Sequence, residues 1–194
     1  MYLRLSFYSF IPLLFISASL KADIDPYIGL SVGESSSDAV CVGCEGWYDD
    51  CSCEGVATSH AIFIGARLNT NLAIEASYID MGQFTKSTDT SWVTAESKGA
   101  NFSLIGILTV ENISAEVFGK IGLLYWDTKL TSSELITGPI NDNGADVSLG
   151  IGASIGNKKY ALRLEYEMLN ELSNEYKSGG SIITVGSIAG VIYF

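Results

Sequence analysis

Eight short segments with alternating apolar and polar residues constrain this chain more than any other feature. The clearest runs from Tyr160 to Met168, where even-numbered residues are apolar or aromatic and odd-numbered residues are Ala161 and three charged residues. Because successive side chains of a β-strand point to opposite faces, each segment is predicted to be a strand with one apolar and one polar face. The apolar face points inward in a soluble sandwich and outward to lipid in a membrane barrel.

The first 22 residues are predicted to be a secretory signal peptide rather than part of the folded domain. Arg4 supplies a positive n-region, residues 7–20 form an apolar stretch, and Ala22 offers a small residue at the cleavage point. The apolar stretch is too short to cross a bilayer as a helix. We therefore expect a single domain over residues 23–194.

Charge and hydropathy exclude further classes of protein. The net charge is −11, and cleavage after Ala22 removes Arg4 and Lys21 but no acidic residue, which leaves −13. This acidic excess disfavours nucleic acid as a partner, since that binding depends on clustered Lys and Arg. Mean hydropathy is +0.28, yet no stretch after residue 22 is apolar for long enough to be a transmembrane helix. An apolar secreted chain of this kind can cross a membrane only as a closed barrel.

The predicted strands are joined by alternately short and long connections. We predict strands over residues 27–33, 60–68, 72–81, 100–110, 114–129, 145–156, 160–169 and 181–194. The connections at 69–71, 111–113 and 157–159 are tight turns, and those at 34–59, 82–99, 130–144 and 170–180 are long polar loops. Alternation places all the long loops at one end, as in outer-membrane barrels. The sequence therefore predicts an all-β fold, an eight-stranded antiparallel up-and-down transmembrane β-barrel.

Aromatic residues near the predicted strand ends are typical of the girdles that barrels place at membrane interfaces. The predicted girdle comprises Tyr27, Tyr78, Tyr125, Trp126, Tyr160, Tyr166 and Tyr193.

Seven charged residues alternate with the apolar positions and are predicted to point into the barrel. They are Arg67, Glu75, Glu116, Lys120, Arg163, Glu165 and Glu167. An eight-stranded barrel is only wide enough for side chains to fill, and an unpaired buried ion costs several kcal/mol. These charges are therefore expected to pair as an ionic plug, which either stays static or rearranges to gate a narrow pore.

The four cysteines all lie in the first long loop, at Cys41, Cys44, Cys51 and Cys53. Their spacing matches no common zinc site, and a secreted chain meets an oxidising compartment, so two disulfides are expected. Three pairings are possible. We favour Cys41–Cys53 with Cys44–Cys51, because a bridge within residues 51–53 would be strained. The bridged loop would display Trp47, Tyr48, Asp49 and Asp50.

The sequence offers little support for catalysis, a metal or a cofactor. The single histidine, His60, follows Ser59, so the two side chains are predicted to point to opposite faces of a strand and not to act together. The acidic first loop lacks the ordered spacing of a calcium site. We expect no enzyme activity.

Four motifs follow one another along the chain: residues 71–78 (NLAIEASY), residues 118–122 (FGKIG), residues 162–166 (LRLEY) and Ser187-x-Ala189-x-x-Ile192-x-Phe194. Together they resemble the eight-stranded transmembrane domain of the outer-membrane protein A family. The last motif is similar to the terminal signal read by the barrel-assembly machinery, although that signal usually has glycine where Ala189 stands. The resemblance implies a monomer in the outer membrane that contacts lipid and lipopolysaccharide. The family's additional peptidoglycan-binding domain is not expected here.

The function predicted from the sequence is structural, or an interaction through surface loops, with the lumen plugged by charged residues. Two alternatives remain at this point: a narrow ion-conducting pore, and a secreted lipocalin-like calyx for a small apolar ligand. A calyx requires an apolar lumen, whereas residues 163, 165 and 167 would place charges there.

Overall fold

The computed structural model describes residues 24–37, 41, 44, 51–110, 113–133, 138–171 and 181–194. Nine strands account for most of this described part: β1 (Asp25–Ser37), β2 (Cys51–Glu54), β3 (Val56–Asn69), β4 (Leu72–Thr88), β5 (Trp92–Val110), β6 (Ala115–Ser132), β7 (Ile140–Gly156), β8 (Tyr160–Glu171) and β9 (Ser181–Tyr193). The predicted signal peptide, residues 1–22, lies outside the described residues. Within the described ranges, no helix is long and apolar enough to cross a membrane.

Eight of these strands close into a ring. Its order is β1, β3, β4, β5, β6, β7, β8 and β9, and every neighbouring pair is antiparallel. β9 pairs back onto β1, from Tyr193 opposite Tyr27 to Ile183 opposite Ser37. β2 is a short additional strand that pairs with the end of β4. The predicted fold class, an eight-stranded antiparallel barrel, is confirmed.

The apolar faces of the strands point outward. In β8, Leu162 and Leu164 are 49% and 57% exposed, whereas Arg163 between them is 5% exposed. The same alternation of exposed apolar and less exposed residues runs along β4, β6 and β7. A calyx would turn these apolar faces inward, so the lipocalin-like alternative is wrong.

The aromatic girdle is smaller than predicted. Tyr78, Tyr125, Tyr160 and Tyr166 are exposed on the outer wall. Tyr27 and Trp126, by contrast, are 3% and 6% exposed and lie in the lumen, with Tyr193 packed beside Tyr27. The prediction was wrong for these three residues because it grouped neighbours such as Tyr125 and Trp126, which must point to opposite faces of one strand.

The strands also extend further from the short turns than predicted. β4 continues to Thr88 and β5 begins at Trp92, so residues 89–91 form a tight connection where a loop over 82–99 was predicted. β6 and β7 likewise shorten the predicted loop over 130–144. Ladder hydrogen bonds continue beyond the apolar band through Thr, Ser and Lys, whose polarity hides the alternation. We refer to this end of the barrel as the long-loop end.

Four large rings in the lumen each lie across from a glycine on the adjacent strand. The directly paired residues are Phe63 with Gly29, Tyr27 with Gly65, Phe118 with Gly152, and Trp126 with Gly144. A Cβ atom added to any of these glycines would lie between 2.1 and 2.5 Å from the ring. The glycines therefore make the space that lets bulky rings fill a narrow barrel.

Candidate functional site

Five of the seven inward charges meet in one group near the middle of the lumen, which we call the central cluster: Glu75, Lys120, Arg163, Glu165 and Glu167. Lys120 Nζ lies 2.9 Å from Glu165 Oε1 and 2.9 Å from Glu167 Oε1. It also lies 3.2 Å from Glu75 Oε1. The five side chains are between 2% and 10% exposed. Two cations thus hold three carboxylates away from solvent.

A glycine on the strand between them allows β6 and β8 to share this cluster. Gly150 of β7 pairs with Lys120 on one side and with Glu167 on the other. A Cβ at Gly150 would lie 2.9 Å from Glu167 Cγ and 3.4 Å from Lys120 Cβ. The side chains of Lys120 and Glu167 therefore meet in space that the side chain of any residue other than glycine would fill at position 150.

Arg163 joins the central cluster to a set of aromatic rings. Its Nη1 donates to Glu75 Oε2 at 2.7 Å. Its guanidinium carbon lies 4.9 Å from the ring centroids of Phe63 and Phe118, and 5.5 Å from that of Tyr27. Cation–π attraction of this kind strengthens when water is excluded. Within the described part of the chain, its Nε has no hydrogen-bond partner.

The aromatic contacts of Arg163 were not predicted from the sequence. Tyr27 makes two contacts: its ring faces the Arg163 guanidinium, and its hydroxyl donates to Glu75 Oε2 at 3.0 Å. The available signal was strand parity: counting from the charged residues of each strand would have placed these rings on the inner face.

The other two inward charges form a separate ion pair nearer the short turns. Arg67 Nη1 donates to Glu116 Oε1 at 2.7 Å, and Arg67 Nη2 contacts Glu116 Oε2 in the same two-point arrangement. Arg67 Nη2 also donates to the Tyr193 hydroxyl, and the Ser154 hydroxyl donates to Glu116 Oε2. The structure thus brings the seven predicted charges together in two groups rather than one.

Neutral polar residues continue the central cluster toward the long-loop end. Asn101 Nδ2 donates to Glu167 Oε1 at 3.1 Å, and Ser148 Oγ donates to Asn101 Oδ1 at 3.0 Å. Asn101 and Ser148 are fully buried, so each satisfies a polar group that water cannot reach.

Two apolar clusters lie on either side of the central cluster. The one nearer the short turns comprises Tyr27, Phe63, Ala73, Ile105, Ile107, Phe118, Ala189 and Val191. The one nearer the long-loop end comprises Ile79, Met81, Phe84, Leu124, Trp126, Leu169, Ile183 and Val185. In the second cluster the Trp126 indole nitrogen donates to Asp146 Oδ2 at 2.6 Å. The inward apolar residues of β9 explain why both of its faces are apolar in the sequence.

Two small cavities lie next to these layers, among the residues that the structure describes. A cavity of about 20 Å³ lies beside the central cluster, lined in part by Ser59, Ser77 and Glu165. Another of about 10 Å³ lies among Met81, Leu124 and neighbouring residues. The first has room for about one water molecule. A wider vestibule of about 500 Å³ opens at the short-turn end, around the Arg67–Glu116 pair.

Both disulfides of the first loop have the nested pairing. Cys41 is bonded to Cys53 and Cys44 to Cys51, with Cα–Cα distances of 5.6 and 5.4 Å. Cys51 and Cys53 lie in β2, which pairs with residues 85–88 of β4. The disulfides therefore attach the loop to a strand of the sheet. Residues 47–50, predicted to be displayed by this loop, lie outside the described residues.

The described residues contain no arrangement typical of an active site. Ser59 is buried and His60 is exposed, on opposite faces of β3. Residues 152–156 have the Gly-x-Ser-x-Gly spacing of a nucleophile elbow, but they lie within β7, and the Ser154 hydroxyl donates to Glu116. Across the described ranges, no group of His, Cys, Asp and Glu is arranged to hold a metal ion.

The predicted assembly signal occupies the short-turn end of β9. Ile192 and Phe194 face outward, and Ala189 is buried in the lumen. The Phe194 backbone N–H donates to the carbonyl oxygen of Pro26 at 3.0 Å, next to the seam where β9 closes on β1.

A family model described as the OmpA-like transmembrane domain matches residues 21–193. The chain belongs to this family. It is therefore an integral protein of the Gram-negative outer membrane. A comparison with curated protein sequences finds no significant match.

Solved structures of outer-membrane barrels share the fold of this family member. Neisserial surface protein A has a TM-score of 0.51 and 14% identity, over 88% of this chain and 97% of that one. The attachment invasion locus protein Ail of Yersinia pestis, in complex with the heparin analogue sucrose octasulfate, has a TM-score of 0.50 and 10% identity, over 87% of this chain and 99% of that one. The N-terminal β-barrel domain of Pseudomonas aeruginosa OprF has a TM-score of 0.50 and 10% identity, over 86% of this chain and 97% of that one. At these identities the likeness concerns the fold alone.

Proposed function

We propose that this protein is a plugged outer-membrane barrel that acts through its cell-surface end, without catalysis. The observation that carries the proposal is the packing of side chains inside the barrel. The central cluster lies between two apolar clusters, and the cavity beside it has a volume of only about 20 Å³. A solute larger than water would have to separate several buried ion pairs to pass.

The long-loop end supports a role in surface interaction. β4, β5, β6 and β7 continue past the outward-facing Tyr78 and Tyr125, and β2 attaches a disulfide-bonded loop to this wall. The acidic residues of the strands here outnumber the lysines: Glu34, Glu54, Asp80, Glu96, Asp127 and Asp142 against Lys86, Lys98 and Lys129. Such a surface favours cationic partners. It is unsuited to a sulfated ligand such as the one bound to Ail.

This role requires the short turns to face the periplasm and the long-loop end to face the outside of the cell, as is usual for outer-membrane barrels. Labelling of lysines on intact cells tests this orientation. A membrane-impermeant amine reagent should modify Lys129, at the long-loop end, and should leave Lys158 and Lys159 of the periplasmic turn unmodified. Permeabilised cells provide the control, because all three lysines should then react. Modification of Lys158 in intact cells, with Lys129 protected, would contradict the proposed orientation.

The partners that we propose for assembly are membrane lipid, lipopolysaccharide and the barrel-assembly machinery, with the barrel as a monomer. The outward aromatic terminus at Phe194, next to Ile192, supports recognition by that machinery. In the same labelling experiment, Phe194→Ala should lower the amount of labelled protein, whereas Ile113→Ala, in a periplasmic turn and also exposed, should not. Equal amounts for both variants would remove Phe194 from the signal.

A further inference from the structure

Four serine residues line the small cavity beside the central cluster. They come from four adjacent strands of the ring, β9, β1, β3 and β4, and are Ser187, Ser31, Ser59 and Ser77 respectively. Gly33 of β1 pairs with Ser59 on one side and with Ser187 on the other, so no side chain separates these two serines. The small side chains therefore leave a cavity of about 20 Å³ next to the charged residues.

The serine hydroxyls at this cavity lack hydrogen-bond partners. Ser59 is 2% exposed, and its hydroxyl forms no hydrogen bond with any residue that the structure describes. The same is true, within the described ranges, of the hydroxyls of Ser31, Ser77 and Ser187. Because a buried hydroxyl without a partner is unfavourable, we expect a molecule or an ion in the cavity to contact these oxygens.

The central cluster has one more negative charge than positive charges. Lys120 and Arg163 supply two positive charges, against the three carboxylates of Glu75, Glu165 and Glu167. All five side chains are at most 10% exposed, so water screens the excess charge little. A buried charge without a partner is strongly unfavourable. The charge balance therefore favours one additional cation.

Glu167 directs this excess charge toward the cavity. Lys120 Nζ and Asn101 Nδ2 both contact its Oε1, at 2.9 and 3.1 Å. No hydrogen bond reaches its Oε2 within the described part of the chain, and Glu167 lines the cavity together with Glu165. Carboxylate and hydroxyl oxygens thus surround one small space, and oxygen ligands of this kind are those that hard cations prefer.

We propose that this cavity binds one small monovalent cation, Na⁺, through Glu167 and the serine hydroxyls. The ion restores the charge balance and contacts several hydroxyls at once. A proton on Glu167 would remove the charge but satisfy only one hydroxyl, whereas a water molecule would satisfy hydroxyls and leave the charge. The proposal rests on the plugged lumen proposed above and adds a bound ion to it.

The size and the ligands of the cavity select the kind of cation. Space for about one water molecule fits Na⁺ and excludes a large organic cation such as choline. A multivalent metal would need several acidic ligands, but the three carboxylates converge on Lys120. Accordingly, the described residues contain no group of His, Cys, Asp and Glu arranged for such a metal. A monovalent ion needs only one carboxylate oxygen and the neutral hydroxyls.

Reversible urea unfolding of the full barrel in vesicles of zwitterionic lipid tests the proposal. The unfolding equilibrium is compared in NaCl and in choline chloride at the same concentration, so that ionic strength is equal. At about 100 mM salt, NaCl should lower the unfolding equilibrium constant at least about fivefold relative to choline chloride, as expected for a site that is half-filled at about 25 mM Na⁺ or less. The effect should saturate as the NaCl concentration rises.

Two variants locate the ion. Ser59→Ala removes a hydroxyl ligand and Glu167→Gln removes the excess charge, so the difference between the two salts should fall below about twofold in each. Thr58→Ala is the matched control, because Thr58 is exposed on the outer face of the same strand, and it should keep the full difference. Heat-dependent mobility in SDS gels checks that each variant folds.

Two results would overturn the proposal. Equal unfolding of the wild-type barrel in the two salts would show that no cation is bound, and a loss of stability with rising pH would then show that a proton neutralises the cluster. A salt difference that persists in Ser59→Ala or in Glu167→Gln would place the ion elsewhere. Neither result alters the lysine labelling pattern or the conductance of the barrel, so failure here is distinguishable from failure of the proposed function.

Discussion

Arg163 shows at the scale of one residue how this lumen accommodates charge. The guanidinium bonds to the carboxylate of Glu75, and three aromatic rings cover it within 5.5 Å. The rings exclude water, so the ion pair is stronger than it would be at a surface, while removal of one partner would leave a buried charge.

Arg163→Ala should therefore destabilise the folded barrel by about 3–5 kcal/mol, because Glu75 loses the charge and the hydrogen bond of Arg163 and stays buried. The measurement is reversible urea unfolding of the barrel in lipid vesicles. Lys98→Ala is the matched control. Lys98 pairs with Asp80 at 3.4 Å on the exposed surface, so its removal should change the free energy of unfolding little. A loss below about 0.5 kcal/mol for Arg163→Ala would mean that the pairing does not stabilise the fold.

Substitution of a glycine in the lumen should also destabilise the folded barrel. Gly152→Ala would place a Cβ 2.3 Å from the Phe118 ring, and the overpacking should cost about 1–3 kcal/mol. Gly119→Ala is the control on neighbouring β6, because nothing lies within 4 Å of its Cβ position. The added Cβ would also lie 2.5 Å from the Leu164 carbonyl oxygen, so equal stability of the two variants in the same unfolding experiment would show that both the ring and the β8 backbone move aside freely.

At the scale of elements, the outward apolar faces of β4, β6, β7 and β8 could be predicted because strand alternation is local. The ends of the strands could not, since a register shift between Asp80 and Gly82 breaks the alternation of β4, so that Met81 and Phe84 both point into the lumen. The partners of Lys120 were also beyond prediction. They depend on the register of three strands and on the space above Gly150.

The disulfide-bonded loop should be independent of the ring. A double variant, Cys44→Ser with Cys51→Ser, should fold and keep its heat-dependent gel mobility, because no ring strand pair depends on that bridge. Protease cleavage between residues 41 and 53 should be faster on intact cells. Ser52→Ala, in the same short strand, is the control. Loss of the folded barrel in the double variant would show that the bridge supports more than the loop.

At the scale of the whole molecule, the barrel has two distinct regions along its axis. The lumen holds an ion pair near the periplasm, an apolar cluster, the central cluster and a second apolar cluster in succession. The long-loop end carries the acidic residues of the wall and the bridged loop. In the function that we propose, the first part closes the membrane and the second part makes contacts outside the cell.

Single-channel recording of the refolded barrel in a planar lipid bilayer tests the closed lumen most directly. The wild-type protein should show no conductance steps above those of the lipid alone, because we propose that the central cluster and the two apolar clusters plug the lumen. An open porin recorded under the same conditions is the positive control. Reproducible steps from the wild-type barrel, absent after heat denaturation of the sample, would contradict a plugged lumen and support a narrow ion-conducting pore.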